Sequence, residues 1–204
     1  MHFAYNKNNL FGGGCLDVDI PLTPLGREAV AEMNRVGMIL DCSHTGYRSS
    51  MEIMEMSRHP VIFSHSNPRA LCDHPRNIRD DQINAAVRTG GVIGINGVSN
   101  FLGGDCTSES IVRHIDYVVQ LAGPQHLGLG LDTVVDKDEG RRLFMAYPGA
   151  WPGHTVEEIS KITFAQPEQL PEIAELLLRR GYADQDVRGI LGENFARVAS
   201  QVWQ

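Results

Sequence analysis

The chain has 204 residues, 42% of them hydrophobic and 21% charged, with a net charge of −7 and a pI of about 5.6. That length supports one domain, residues 1–204, with a sizeable core. The acidic balance excludes nucleic acid or an anionic membrane as the main partner, because phosphate binding wants basic stripes.

No apolar run approaches the roughly 18 residues needed to span a bilayer. The opening stretch MHFAYNKNNLFGGG has neither the basic nor the apolar region of a signal peptide. Four widely spaced cysteines (Cys15, Cys42, Cys72, Cys106) read as reduced, mostly buried thiols of a cytoplasmic protein, not as a disulfide framework or zinc knuckle.

Residues 1–20 are polar and Gly-rich and are expected to form a loop. Gly12-Gly13-Gly14 is not a phosphate loop, since no GK[ST] follows and no strand precedes it. Thr23 as N-cap and Pro24 at the first helical position start a helix that Gly37 closes. Met38 to Cys42 reads as a short apolar strand buried on both faces. Residues 47–57 read as a helix, with methionines filling core. Pro60 breaks that helix, and Val61 to Ser64 is the second strand.

Pro68 to Pro75 is polar and expected at the surface. Asp80 to Arg88 is a helix with acids in its first turn, where the dipole favours them, and Gly90-Gly91 ends it. Val92 to Asn96 is the third strand, and Gly97 to Asp105 a loop. A helix over 109–121, capped by Thr107 or Ser108, presents Ile111, Ile115, Val118 and Val119 on one face. Leu127 to Asp132 is the fourth strand. The next 30 residues, to Ile162, are expected to be an irregular functional or lid loop. Amphipathic helices over 168–180 and 184–201 close the chain. Buried strands alternating with such helices read as a parallel α/β sheet or part of a β/α barrel.

Reactive groups in such a structure collect at the carboxyl ends of the strands. Those ends are His44, His65, Asn96 and Asp132. Two imidazoles and a carboxylate on one face suit a divalent metal such as zinc. A single strand-end histidine is more often a hydrogen-bonded structural residue, but here two occur, each after a serine. Asp132 is either a turn cap or, with the histidines, a ligand or general base. Arg76 suits a substrate carboxylate or phosphate. Composition alone favours a surface ion pair with Asp73, Asp80 or Asp81. His59, His74, His114, His126 and His154 carry no role. Serine-hydrolase chemistry is discounted, because no G-x-S-x-G elbow is present. A nucleotide-binding fold is discounted too, because no glycine fingerprint sits at a strand–helix junction.

The stretch GMILDCSHTGYRSS…PVIFSHSNPRALCDHPRNIRDDQINAAVRTGGVIGIN, followed by HLGLGLD and LGENFARV, resembles the membrane (renal) dipeptidase family. These are zinc peptidases of the amidohydrolase-like barrel group. The resemblance runs from His2 to Trp203. It implies that His44 and His65 hold one metal of a two-zinc site, and that Arg76 binds the dipeptide's carboxylate. It also implies that Asp132 helps proton transfer near the other metal, and that His2 contacts substrate and steadies the tetrahedral intermediate. The chemistry implied is metal-activated water attacking the dipeptide carbonyl. The expected partners are a dipeptide and, as an assembly, a second copy of the chain.

The family's His-x-Asp strand end and its metal-bridging glutamate have no counterpart here. Met1 stands where the family has threonine before His2. A (β/α)₈ barrel needs about 250 residues. The chain is therefore expected to be the C-terminal half of a TIM-like (β/α)₈ barrel, from a truncated or shortened dipeptidase. Zinc binding by this chain alone is expected to be weak. The alternative function is a catalytically inactive half-barrel that acts as a binding or assembly module, motivated by the missing ligands and an open sheet edge.

Overall fold

The computed structural model describes residues 1–147, 149 and 155–203. Its elements run α1 (Pro24–Arg35), β1 (Leu40–Asp41), α2 (Tyr47–Met56), β2 (Val61–Ile62), α3 (Asp80–Arg88), β3 (Ile93–Ile95), α4 (Ser99–Leu102), α5 (Ser108–Ala122) and β4 (Leu127–Leu129). Then come α6 (Lys137–Ala146), α7 (Val156–Lys161), α8 (Leu170–Arg179), α9 (Asp184–Arg188) and α10 (Asn194–Val202).

The strands are parallel and lie side by side in chain order. Leu40 pairs with Val61, and Ile93 with Leu127. A Phe63–Ile93 bridge joins β2 to β3, and a His2–Asp41 bridge adds the N-terminal segment beside β1. Their carboxyl ends therefore share one edge.

One face of the sheet packs on the helices. Leu40, Ile53, Phe63, Ile83, Ile95, Ile111, Ile115 and Leu177 belong to a single buried cluster. On the other face, Val198 and Val202 of α10 bury Val92, with Phe195 packed alongside. A Cβ at Gly128 would lie 2.4 Å from the Phe195 ring, so the bare β4 backbone is what admits that ring. The LGENFARV segment acts at the sheet's amino end. Asn194 Nδ2 donates to Pro124 O and Leu127 O, and Arg197 donates to Gly90 O and Gln125 O.

The helix starts follow their capping residues. Thr23 accepts from Gly26 N, and Thr107 accepts from Ser110 N. The four cysteines are free thiols, with Cys42 buried and the other three half-buried. Among the described residues no helix is long and apolar enough to cross a membrane.

Several expectations are corrected. The strands are shorter than their apolar runs, because side chains take over the pairing at their carboxyl ends. Asp41 Oδ1 accepts from Ser43 N and Ser64 N, Ser43 Oγ accepts from His65 N, and Asn67 Oδ1 accepts from Asn96 N. The 97–105 loop contains α4. The stretch to Ile162 contains α6 and α7, the latter opened by a Thr155–Glu158 capping box. Residues 148, 150–154 and 204 lie outside the described set, and His154 with them. The last helix is broken by a π-turn over 189–193. The loop over 68–75 is largely at the surface as expected, and it is the residues that follow, Arg76, Asn77 and Ile78, that turn inward and are buried.

Candidate active site

Backbone conformation marks the site first. Among the described residues, three that are not glycine adopt a left-handed backbone: Asn6 (φ 63°), His44 (φ 66°) and Asp132 (φ 56°). Such residues are uncommon and cluster where surrounding structure over-determines them. Here Asn6 Oδ1 lies 2.7 Å from His44 Nδ1, and His44 and Asp132 line the same cavity. The Gly-rich segment holds the His44 turn in place. Cys15 N donates to His44 O, and Gly46 N donates to Gly13 O. A Cβ at Gly14 would fall 2.3 Å from the Asn6 backbone, so only glycine permits this approach.

Three imidazoles meet at the shared edge. His44 and His65 face each other through Nε2 atoms 2.9 Å apart. The His2 ring centroid lies 5.7 Å from that of His44 and 5.6 Å from that of His65. Tyr5 stacks on His44 at 4.3 Å. Ser64 Oγ holds His65 Nδ1 at 2.6 Å. Burial, reinforced by the Arg76 charge, pushes the pKa of both His44 and His65 well below the usual imidazole range, so both rings are neutral at pH 7.

That donor set suits zinc. Neutral imidazole nitrogens are its preferred nitrogen ligands, and tetrahedral zinc holds two of them about 3.3 Å apart, close to the spacing observed. The second contacts, Asn6 on His44 and Ser64 on His65, orient the rings as ligand histidines require. His2, Asp41 and His65 also offer donor atoms within 4.8 Å of one another.

Asp41 was not singled out by the sequence reading. It is 5% exposed, and its Oδ2 lies 2.7 Å from His2 Nε2. Burial alone would raise its pKa, but the hydrogen bonds from His2, Ser64 and Ser43 outweigh that and hold the carboxyl well below its usual range. The available signal was a carboxylate in the middle of an otherwise apolar, doubly buried strand.

The cavity has a volume of about 320 Å³. His2, Tyr5, His44, His65 and Asp132 form its polar side, and Val98, Phe101, Val134, Ile162 and Phe164 its apolar wall. An antiparallel bridge from Val98 to Phe164 places the wall, so the return segment after α7 covers the site. Asp132 is exposed and accepts from Asn96 Nδ2 at 3.1 Å. A groove of about 450 Å³ between α1 and His59 has no comparable convergence of donors.

Arg76 lies behind the histidines, at 2% exposure, and not on the cavity wall. Nη1 donates to Ser66 Oγ at 3.0 Å and Nη2 to His65 O at 2.8 Å, while Nε has no acceptor. The surface ion pair favoured by composition does not form. Asp73 pairs with Arg69, Asp81 accepts from Tyr47, and Asp80 accepts from Tyr117. Arg76 shares with His44, Cys15 and Thr45 a small adjoining cavity of about 40 Å³.

One further contact sets the position of His65. A Cβ built at Gly94 or at Gly130 would fall 2.1 Å or 1.9 Å from Ser64 O, so β3 and the end of β4 both press on the residue before His65.

Known proteins resemble this chain in sequence and in fold. Residues 1–137 match the family model described as membrane dipeptidase (peptidase family M19). The chain is 33% identical over 205 residues to dipeptidase tcpJ of Claviceps purpurea (strain 20.1), covering 98% of this chain and 43% of that protein. It is likewise 33% identical over 200 residues to the uncharacterized dipeptidase C965.12 of Schizosaccharomyces pombe, covering 96% and 42%. It thus spans under half the length of these curated relatives.

Among solved structures, an amidohydrolase from Pseudomonas aeruginosa superposes with a TM-score of 0.86 at 33% identity, over 99% of this chain and 64% of that one. A metallo peptidase from Rhodobacter sphaeroides, liganded with a phosphinate mimic of the dipeptide L-Ala-D-Ala, shares the fold with a TM-score of 0.75 at 24% identity. That match covers 99% of this chain and 55% of the other.

Proposed function

Because this chain belongs to the membrane dipeptidase family, peptidase family M19, we propose that it carries the histidine half of a zinc-dependent dipeptidase site. The reaction is hydrolysis of the peptide bond of a dipeptide. The observation that carries this reading is the convergence of His44 and His65, their Nε2 atoms 2.9 Å apart, on the lining of the cavity. The parallel order from His2 through β4 supports placing the chain within a (β/α)₈ barrel as its C-terminal half, residues 1–204 forming one unit.

His44 and His65 are the residues that hold zinc. Zinc bound there supplies Lewis acidity and a more acidic water. Arg76 supplies a fixed positive charge beneath the site. It adds to burial in keeping the two imidazoles unprotonated, and it attracts the substrate's carboxylate. Asp132, oriented by Asn96, moves a proton. His2, which borders the same cavity as the histidine pair, contacts the substrate. The apolar wall excludes water and receives a small side chain. The dipeptide mimic held by the Rhodobacter sphaeroides relative supports this substrate class.

The test is dipeptide hydrolysis by the zinc-supplemented chain, followed by amino-acid release. Turnover that a chelator and His65→Ala both abolish is expected. Turnover no greater than that of His65→Ala would overturn the proposal in favour of a non-catalytic binding module.

A further inference from the structure

We propose that Asp41 is a positioning residue: its carboxylate fixes the tautomer and the orientation of His2 over the histidine pair. This inference rests on the dipeptidase reading for its effect on turnover, but not for its structural content.

The two carboxylate oxygens do separate jobs. Oδ1 accepts from Ser43 N at 3.0 Å and from Ser64 N at 3.1 Å, which ties together the ends of β1 and β2. A neutral amide oxygen would serve there equally well. Oδ2 meets the demand from His2, with Nε2 at 2.7 Å. A carboxylate accepts and cannot donate, so Nε2 must carry the hydrogen and the lone pair of the neutral ring falls on Nδ1. Burying an ionised carboxylate is costly unless its partners are well placed. With Asp41 5% exposed in an apolar strand, the His2 contact gives a reason for a charge where an amide would hold the strands.

The arrangement also has the right reach. His2 pairs with Asp41 through backbone as well as side chain, so the ring is anchored at both ends of the residue. The anchored ring borders the cavity within 5.7 Å, centroid to centroid, of both facing imidazoles.

Asp41→Asn separates the two jobs. Its Oδ1 keeps both backbone bonds, while its Nδ2 now offers a hydrogen to His2 Nε2 and forces the opposite tautomer. Imidazole ¹⁵N shifts, assigned to His2 by difference against His2→Gln, should report Nε2–H in the native protein and Nδ1–H in Asp41→Asn. The melting temperature should be nearly unchanged. With dipeptide substrate, kcat should fall by about 10²-fold or more, while KM moves only a few-fold. In a His2→Gln background, Asp41→Asn should cost nothing further.

Nδ1–H in the native protein, an unflipped ring in Asp41→Asn, or an undiminished loss in the His2→Gln background would each overturn the inference. If Asp41→Asn fails to fold, the native tautomer still decides it. The tautomer is read without turnover, so a protein with the expected ring state and no hydrolysis would refute the dipeptidase reading and leave the role of Asp41 standing.

Discussion

Replacing Arg76 by Met separates a functional arginine from a structural one. Two hydrogen bonds from the guanidinium are lost, to Ser66 Oγ and His65 O, at about 1.5–3 kcal/mol each. The contact with the Phe101 ring, 5.8 Å to its centre, adds about 0.5–1 kcal/mol. Against this stands the return of a buried cation to water, worth several kcal/mol, with Nε having had no acceptor at all. The two sides nearly cancel, and Met fills the space flexibly, so stability should stay within about 1 kcal/mol of native.

Substrate binding has no such compensation. Arg76 acts on the carboxylate from behind the cavity wall, so losing its charge costs about 1–3 kcal/mol, or roughly 5- to 150-fold in kcat/KM. The assay is urea unfolding alongside kcat/KM for a dipeptide and for its C-terminal amide. The native protein should prefer the acid strongly, and Arg76→Met should not. Destabilisation beyond about 3 kcal/mol with unchanged kcat/KM would refute the reasoning and make Arg76 a scaffold residue.

Acid stability should depend on His114, which is fully buried with its pKa pushed down by burial to about 4. Its folded pKa lies below the unfolded value, so its contribution is complete above about pH 6.5 and is lost as the pH falls towards 4, by on the order of 3 kcal/mol. His114→Gln should flatten unfolding free energy measured across that window, and an unchanged slope would count against it. Gly130→Ala places a methyl group 1.9 Å from Ser64 O and should cost about 1–3 kcal/mol together with zinc affinity. Asn6→Ala should weaken zinc binding by about 10- to 100-fold in a chelator competition, because His44 Nδ1 loses its acceptor, while Asn6→Asp retains it.

Local signals carried the frame. Asp80–Arg88 and the Thr23 and Thr107 caps follow rules written in neighbouring residues, and the structure has them where the sequence puts them. The Ser-His pairs were legible because apolar runs lead into them. What stayed hidden depends on distant partners. Asp41 passed as part of an apolar run because His2, 39 residues earlier, is what justifies its charge. The loop carrying Arg76 looked exposed because it is polar, yet its polar groups bond inward. Asn77 Nδ2 reaches Cys72 O and Phe101 O, and Asn67 Nδ2 reaches Asn96 O. The left-handed backbone at His44 and Asp132 falls on residue types enriched there, but that enrichment is too weak to place it without the neighbouring chain. The start of α7 was legible and overlooked, since Thr155 and Glu158 have capping-box spacing.

The crowding of Gly94 and Gly130 on Ser64 O makes this end of the sheet a mechanical linkage rather than a row of separate strands. Asp132 lies two residues past Gly130, and His65 follows Ser64. The strand end that carries Asp132 thus lies backbone against backbone, with no side chain between, on the residue that precedes His65. His65 in turn meets His44 through Nε2. Asp132, His65 and His44 thus stand in one unbroken chain of contacts rather than on three independent strand ends.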